Sequence, residues 1–268
     1  VLHITADERK VLLAAGAAAG MAATFGTPIS AVLLAVELLL FEFRARSIIA
    51  VALACVSATA VHLAIEGSAP VFAMPAIAAP EASALFWYLC IGAVMGVLST
   101  LISKAVYAIE DAFERLPIHW MWWPALGAVA VGVIGFVAPR TLGVGYNNIT
   151  DILSGELVGG VMVLFFVLKF LSWSVSLGSG TSGGTLAPLL TIGGGIGAML
   201  GSLVLTFAPG SHLDPHVAAL VGMAALFAGA SRALLASVVF AFEATLQPLA
   251  LLPLLAGCSV SYLVSSLL

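Results

Sequence analysis

Three features mark this chain as an all-α, polytopic membrane protein with broken and re-entrant helices. Of its 268 residues 62% are hydrophobic and 8% charged, with a mean hydropathy of +1.18, more apolar surface than a soluble core absorbs. The stretches 46–65, 84–109, 121–139, 157–177, 186–208 and 248–268 each approach the roughly 20 apolar residues that span a hydrocarbon layer of about 30 Å. A glycine-rich run, Gly178-Ser-Gly-Thr-Ser-Gly-Gly-Thr-Leu-Ala-Pro188, lies between two of these stretches. In lipid only helices and closed barrels satisfy every backbone polar group, and the sequence lacks the alternating strands of roughly ten residues that build a barrel.

Asp7-Glu-Arg-Lys10 is a charged start, and 11–24 follows as a helix of Ala and Gly, small residues that let helix backbones approach closely. Gly26-Thr-Pro28 breaks it. Residues 28–43 resume as an apolar helix too short to span alone, the kind of interrupted helix found in transporters. Arg44 and Arg46 mark an interface before the span at 46–65, and 66–83 is a loop rich in Pro, Ala and Glu. The segment 84–115 exceeds the bilayer's thickness and ends in Glu110-Asp111 and Glu114-Arg115, so it runs tilted and emerges into water. Trp120, Trp122 and Trp123 form an interfacial anchor. The helix at 121–139 ends at Pro139-Arg140, Thr141–Asn148 is rich in turn residues, and Asn148–Gly155 reads as a short helix. The span at 157–177, interrupted only by Lys169, runs into the glycine-rich break.

That break carries the chemistry. Backbone without side chains, opening onto a helix at a proline, presents free N–H groups at the positive end of a helix dipole, which binds anions. Within a membrane the same arrangement forms an anion pathway; the plain alternative is a flexible hinge between helices.

An internal repeat supports a transport architecture. Placing Glu37 over Glu243, a shift of 206 residues, sets Gly16 on Gly222, Ala18 on Ala224 and Ala22 on Ala228. Both segments run small-residue helix, break, short apolar helix, glutamate. The counterpart of Gly184 then falls upstream of Val1, so a second helix-end loop is expected outside this chain. A start at Val1 and a stop at Leu268 inside an apolar run read as the ends of a fragment.

Other functions are disfavoured by composition. A net charge of −4 leaves no basic stripe for nucleic acid. Cys55, Cys90 and Cys258 sit in apolar helices without metal-ligand spacing, and the five histidines are scattered, so neither metal nor cofactor is expected.

Taken together, Ala15-Gly-Ala-Ala-Ala-Gly-Met-Ala-Ala-Thr-Phe-Gly-Thr-Pro28, the apolar helix ending at Glu37, Gly184-Thr-Leu-Ala-Pro188, and Ala228-Gly-Ala-Ser-Arg-Ala233 leading to Glu243 resemble the CLC family of chloride channels and proton/chloride antiporters. The resemblance implies an inverted-repeat fold and a homodimer with one pore per subunit, with chloride as the transported ligand. It implies that 1–80 closes the first half-repeat and that 81–268 is a second half-repeat cut short at its C-terminus. Chloride would be held at Gly183, Gly184, Thr185, Leu186, Ala187 and Pro188, with the amides of Thr185 and Leu186 as ligands. Leu186 stands where the family usually has Phe. The family's serine-bearing filter element and gating glutamate would precede this chain and its filter tyrosine would follow it, so Tyr262 is not that tyrosine. Leu38 occupies the place of the antiporters' internal proton-transfer glutamate, which favours a channel or an unusual exchanger.

Buried carboxylates in membrane helices are paired or functional. Glu37 and Glu243 read as carboxylates bonded to helix N–H groups rather than as proton carriers. Lys169 either raises the local positive potential or reaches water from near a helix end, and Arg232 is read as snorkelling to the interface. Two rivals remain. One is another half-helix anion or ion-coupled carrier. The other is an intramembrane serine protease, since Gly180-Thr-Ser-Gly-Gly184 fits G-x-S-x-G around Ser182. A nucleophile needs a base within reach, and His212 and His216, the histidines after Ser182, flank Pro215 in a connecting loop. The chain is therefore read as a non-enzyme.

Overall fold

The computed structural model describes residues 5–157 and 159–268. Among them there is no strand, and the helices are α1 (Ala6–Phe25), α2 (Pro28–Leu34, continued by a π turn at Ala35–Leu40), α3 (Ala45–Glu66), α4 (Ala82–Glu114), α5 (Trp123–Val137), α6 (Tyr146–Leu153), α7 (Gly160–Gly178), α8 (Leu186–Phe207), α9 (Pro215–Ser231), α10 (Leu234–Thr245) and α11 (Leu251–Leu267). Among the described residues six helical segments are long and apolar enough to cross a membrane: Ala45–Glu66, Ala82–Glu114, Trp120–Val137, Gly160–Gly178, Leu186–Phe207 and Pro248–Leu267. They match the six apolar stretches of the sequence.

Local chemistry sets the boundaries. Thr5 accepts from the Glu8 amide while the Glu8 carboxylate accepts from the Thr5 amide, a capping box that draws Asp7–Lys10 into the first turn of α1. The helix therefore starts well before residue 11. The α6 helix starts at Tyr146 rather than Asn148, because Gly145 turns the chain at φ 80 and Asn148 reaches back to the Arg140 carbonyl at 3.0 Å. At 33 residues α4 is about 50 Å long, more than the hydrocarbon layer, so its acidic end lies beyond it.

The core gathers around α9, whose Val217–Gly229 run is buried on every side, which a helix apolar all round requires. Its backbone lies against α8 with no room between. A Cβ at Gly193 would meet the Gly222 carbonyl oxygen at 2.6 Å, so this crossing needs glycine.

The repeat seen in the sequence is present in three dimensions as α1–α2–α3 and α9–α10–α11. Gly26, at φ 61, ends α1, and Arg232, at φ 60 and 206 positions on, ends α9. The third helices start at Ala45 and Leu251, again 206 apart. The Glu37 carboxylate accepts from the amides of Leu235 (3.1 Å) and Ala236 (3.0 Å) at the start of α10. The Glu243 carboxylate accepts from those of Ile29 (3.1 Å) and Ser30 (2.8 Å) at the start of α2. Each short helix thus caps the other through equivalent residues, the signature of two units exchanged by a local two-fold.

Arg232 is exposed, and its guanidinium donates to the Ser265 carbonyl at 2.6 Å, one of the last carbonyls of α11, which have no intrahelical donor. One expectation is corrected. Lys169 does not reach water. It is 4% exposed, and its ammonium is held by the carbonyls of Thr141 (2.9 Å) and Gly143 (3.0 Å), which wrap over the middle of α7.

Candidate anion site at the start of α8

The glycine-rich run divides into a tight exit and an open entry. At Gly178 a Cβ would lie 2.8 Å from Cγ2 of Ile109 and 3.1 Å from the Glu110 amide, so α7 ends pressed against α4. Ser179 and Gly180 finish the helix with bonds to the carbonyls of Val175 (3.0 Å) and Leu177 (3.1 Å), and Gly180 adopts φ 80. The Ser179 hydroxyl donates to the Ser176 carbonyl at 2.7 Å and lies 3.0 Å from that of Thr181.

Beyond this turn the backbone is unspent. Thr185 is the cap residue of α8 and makes no side-chain cap, and the first bond of the new helix runs from the Leu189 amide to the Thr185 carbonyl at 3.2 Å. Among the described residues nothing accepts from the amides of Gly183, Gly184, Thr185, Leu186 and Ala187, while Pro188 has no N–H to lose. Gly183, Gly184 and Thr185 are exposed, Leu186 is half-buried and Ala187 buried. Orphan amides and the positive end of a 22-residue helix converge here.

Glu37 and Glu243 are engaged elsewhere, on the starts of α10 and α2, and Leu38 lies in the π turn. Ser182 is exposed and bonds to no histidine among the described residues; Nδ1 of His216 lies 2.7 Å from the Leu153 carbonyl. Sequence reasoning missed Ser172, Trp173 and Ser176, which border a cavity beside the α8 start. Their spacing from Lys169, at steps of three, four and seven, places them on one face of α7 and was readable as a helical stripe.

Residues 2–266 match the family described as voltage gated chloride channel. The chain belongs to that family. It is 33% identical over 256 residues to the H(+)/Cl(-) exchange transporter ClcA of Vibrio vulnificus (strain YJ016), covering 93% of this chain and 55% of the relative. To the protein of the same name from Vibrio cholerae (strain M66-2) it is 31% identical over 255 residues, 93% of this chain and 54% of that one. The chain thus spans about half the length of these curated relatives. A slow cyanobacterial Cl-/H+ antiporter superposes with a TM-score of 0.88 at 26% identity, over 98% of this chain and 63% of that one. A CLC-type fluoride/proton antiporter superposes with a TM-score of 0.79 at 25% identity, over 95% and 62%. Family membership and six apolar helical spans make this voltage gated chloride channel relative a multi-pass integral membrane protein.

Proposed function

We propose that the complete protein carries chloride across the membrane, with the anion touching the main-chain amides of Thr185 and Leu186 within the Gly183–Pro188 segment. The carrying observation is the set of amides at the α8 start that no protein group accepts from, held at the positive end of a long apolar helix. Main-chain ligation also makes the Leu186 side chain a matter of packing rather than of coordination. Within this reading residues 1–80 close one half-repeat and 81–268 belong to the other, and the working protein is a homodimer with a pathway in each subunit.

Proton coupling is the open branch of the reading. Leu38 has no titratable group, which favours anion movement without a relay at that position; the names of the curated relatives favour exchange. The test is chloride efflux from liposomes holding the complete protein, with external pH recorded at the same time. Chloride efflux without proton movement supports uncoupled conduction, and a fixed proton-to-chloride ratio supports exchange. Absence of chloride efflux, with another anion moving instead, makes it a carrier of that other anion.

A further inference from the structure

The stretch between the end of α7 and the start of α8 hangs on a single bond. From the Gly180 amide, which donates to the Leu177 carbonyl, to the Thr185 carbonyl, which accepts from Leu189, no backbone hydrogen bond is made among the described residues. Ser182, Gly183 and Gly184 are exposed. What fastens the stretch is the Thr181 hydroxyl, 3.0 Å from that of Ser179.

The direction of that bond follows from valence. A hydroxyl has one proton and two lone pairs, and a carbonyl only accepts. Ser179 spends its proton on the Ser176 carbonyl at 2.7 Å, so Thr181 is the donor to Ser179 Oγ. Ser179 is itself fixed in place. It is 1% exposed, its amide donates to the Val175 carbonyl at 3.0 Å, and its side chain fills a recess left by Gly127 of α5. A Cβ at Gly127 would come 2.5 Å from Ser179 Oγ and 2.7 Å from Ser179 Cβ. Gly127 and Gly135 are the buried positions of α5, whereas Leu126, Val129, Val133 and Phe136 on the same helix are exposed.

We propose that Ser179 is a positioning residue for anion binding: seated against Gly127, it takes the Thr181 hydroxyl and so sets where the amides of Gly183, Gly184 and Thr185 point. The inference rests on the reading of the α8 start as the chloride contact. It adds two residues, Ser179 and Thr181, that touch no anion themselves, and the α5 surface that holds them. Without the Thr181 bond, Gly180, at φ 80, and the two glycines after it leave the stretch free to sample other arrangements. Apparent affinity then falls with the fraction of molecules in the competent one.

The test is chloride binding by titration calorimetry on the complete protein in detergent, with chloride flux from liposomes measured on the same variants. Thr181→Val removes one hydroxyl at an exposed position and keeps the shape. It should raise the chloride dissociation constant about two- to tenfold, the range of one net hydrogen bond, and Thr181→Ser should return it towards the original value. Ser179→Ala should raise it at least as much, and adding Thr181→Val to Ser179→Ala should change nothing further, since the two share one bond. Gly127→Ala, on a different helix, should move the constant in the same direction. A purely structural lesion would instead lower the number of binding-competent molecules and the maximal flux, leaving the constant of the rest unchanged. With chloride still bound, an unchanged constant in Thr181→Val, a Thr181→Ser no tighter than Thr181→Val, or an additive double variant overturns the inference and leaves the chloride reading standing. An unchanged constant in Gly127→Ala refutes the α5 seat. Chloride neither bound nor moved by the unaltered protein overturns both readings. Should Ser179→Ala or Gly127→Ala fail to fold, the two Thr181 variants decide.

Discussion

Replacing Glu243 by Gln tests whether the two glutamates are structural clamps. The carboxylate takes two amides, Ile29 at 3.1 Å and Ser30 at 2.8 Å, at the start of a helix. Glutamine keeps one acceptor oxygen and turns an NH₂ towards the other amide. One hydrogen bond to a charged acceptor, about 1.5–3 kcal/mol, is lost together with a favourable charge–dipole contact of about 0.3–1 kcal/mol. The expected cost of Glu243→Gln is thus about 2–4 kcal/mol. Glu37 makes the equivalent pair of bonds, to Leu235 at 3.1 Å and Ala236 at 3.0 Å, so Glu37→Gln should cost the same to within about 0.5 kcal/mol. Unfolding of the complete protein in detergent, followed by tryptophan fluorescence, measures both; Leu39→Gln, at an exposed position two residues past Glu37, is the control. The reasoning fails if one substitution is silent while the other is costly. It fails equally if both leave stability unchanged and abolish the pH dependence of flux, which is the behaviour of proton carriers.

The other expectations concern the second helix break and the filter loop. Arg232 holds a left-handed conformation at φ 60 that costs a non-glycine residue about 1–2 kcal/mol, and it also bonds the Ser265 carbonyl. Arg232→Ala loses the bond and keeps the strain, so Arg232→Gly should be the more stable of the two by about 1 kcal/mol in the same unfolding assay. At Leu186, the first residue of α8, Leu186→Ala should shift half-saturating chloride by less than about threefold, since the contact is the amide. Leu186→Pro removes that amide and should raise half-saturating chloride at least about tenfold, while also disfavouring the αR conformation of Thr185 before it.

Features with a period or a spacing were legible in the sequence. The six spans follow from runs of apolar residues, and the repeat follows from the distance between two glutamates and two breaks. The glycine-rich run announced a helix start with free amides, because glycine removes side chains and Pro188 fits a first turn. Features that depend on a distant partner were not legible. Nothing near Arg232 says that an arginine takes the left-handed place that Gly26 fills in the first half, since the compensation comes from a carbonyl 33 positions away. Lys169 looked able to reach water because the sequence does not show the Thr141–Gly143 carbonyls folding over it. The capping box at Thr5 is legible as Thr-x-x-Glu, a helix start that the charged run Asp7–Lys10 masks in a reading by apolar residues alone.

The register of the repeat and its one irregularity have a common cause. The left-handed residues that end the short helices are Phe41 and Leu246, 205 positions apart rather than 206. The Phe41 amide bonds back five residues to the Val36 carbonyl, whereas the Leu246 amide bonds back four to that of Phe242. One residue has therefore been accommodated in the first half as a π turn. Its position is constrained by the mutual caps. An extra residue between Pro28 and Glu37 would turn the glutamate by about 100° and move it about 1.5 Å along the axis, off the amides of Leu235 and Ala236. Downstream of the glutamate the same insertion leaves both caps in place. Symmetry is thus enforced up to Glu37 and Glu243 and relaxed immediately after them. Leu38 occupies the first relaxed position in one half, and in the other Ala244 is buried with its carbonyl taken by the Phe72 amide at 3.0 Å. Differences in what the two halves do are therefore to be sought from Leu38 onwards, where the clamp no longer dictates the sequence.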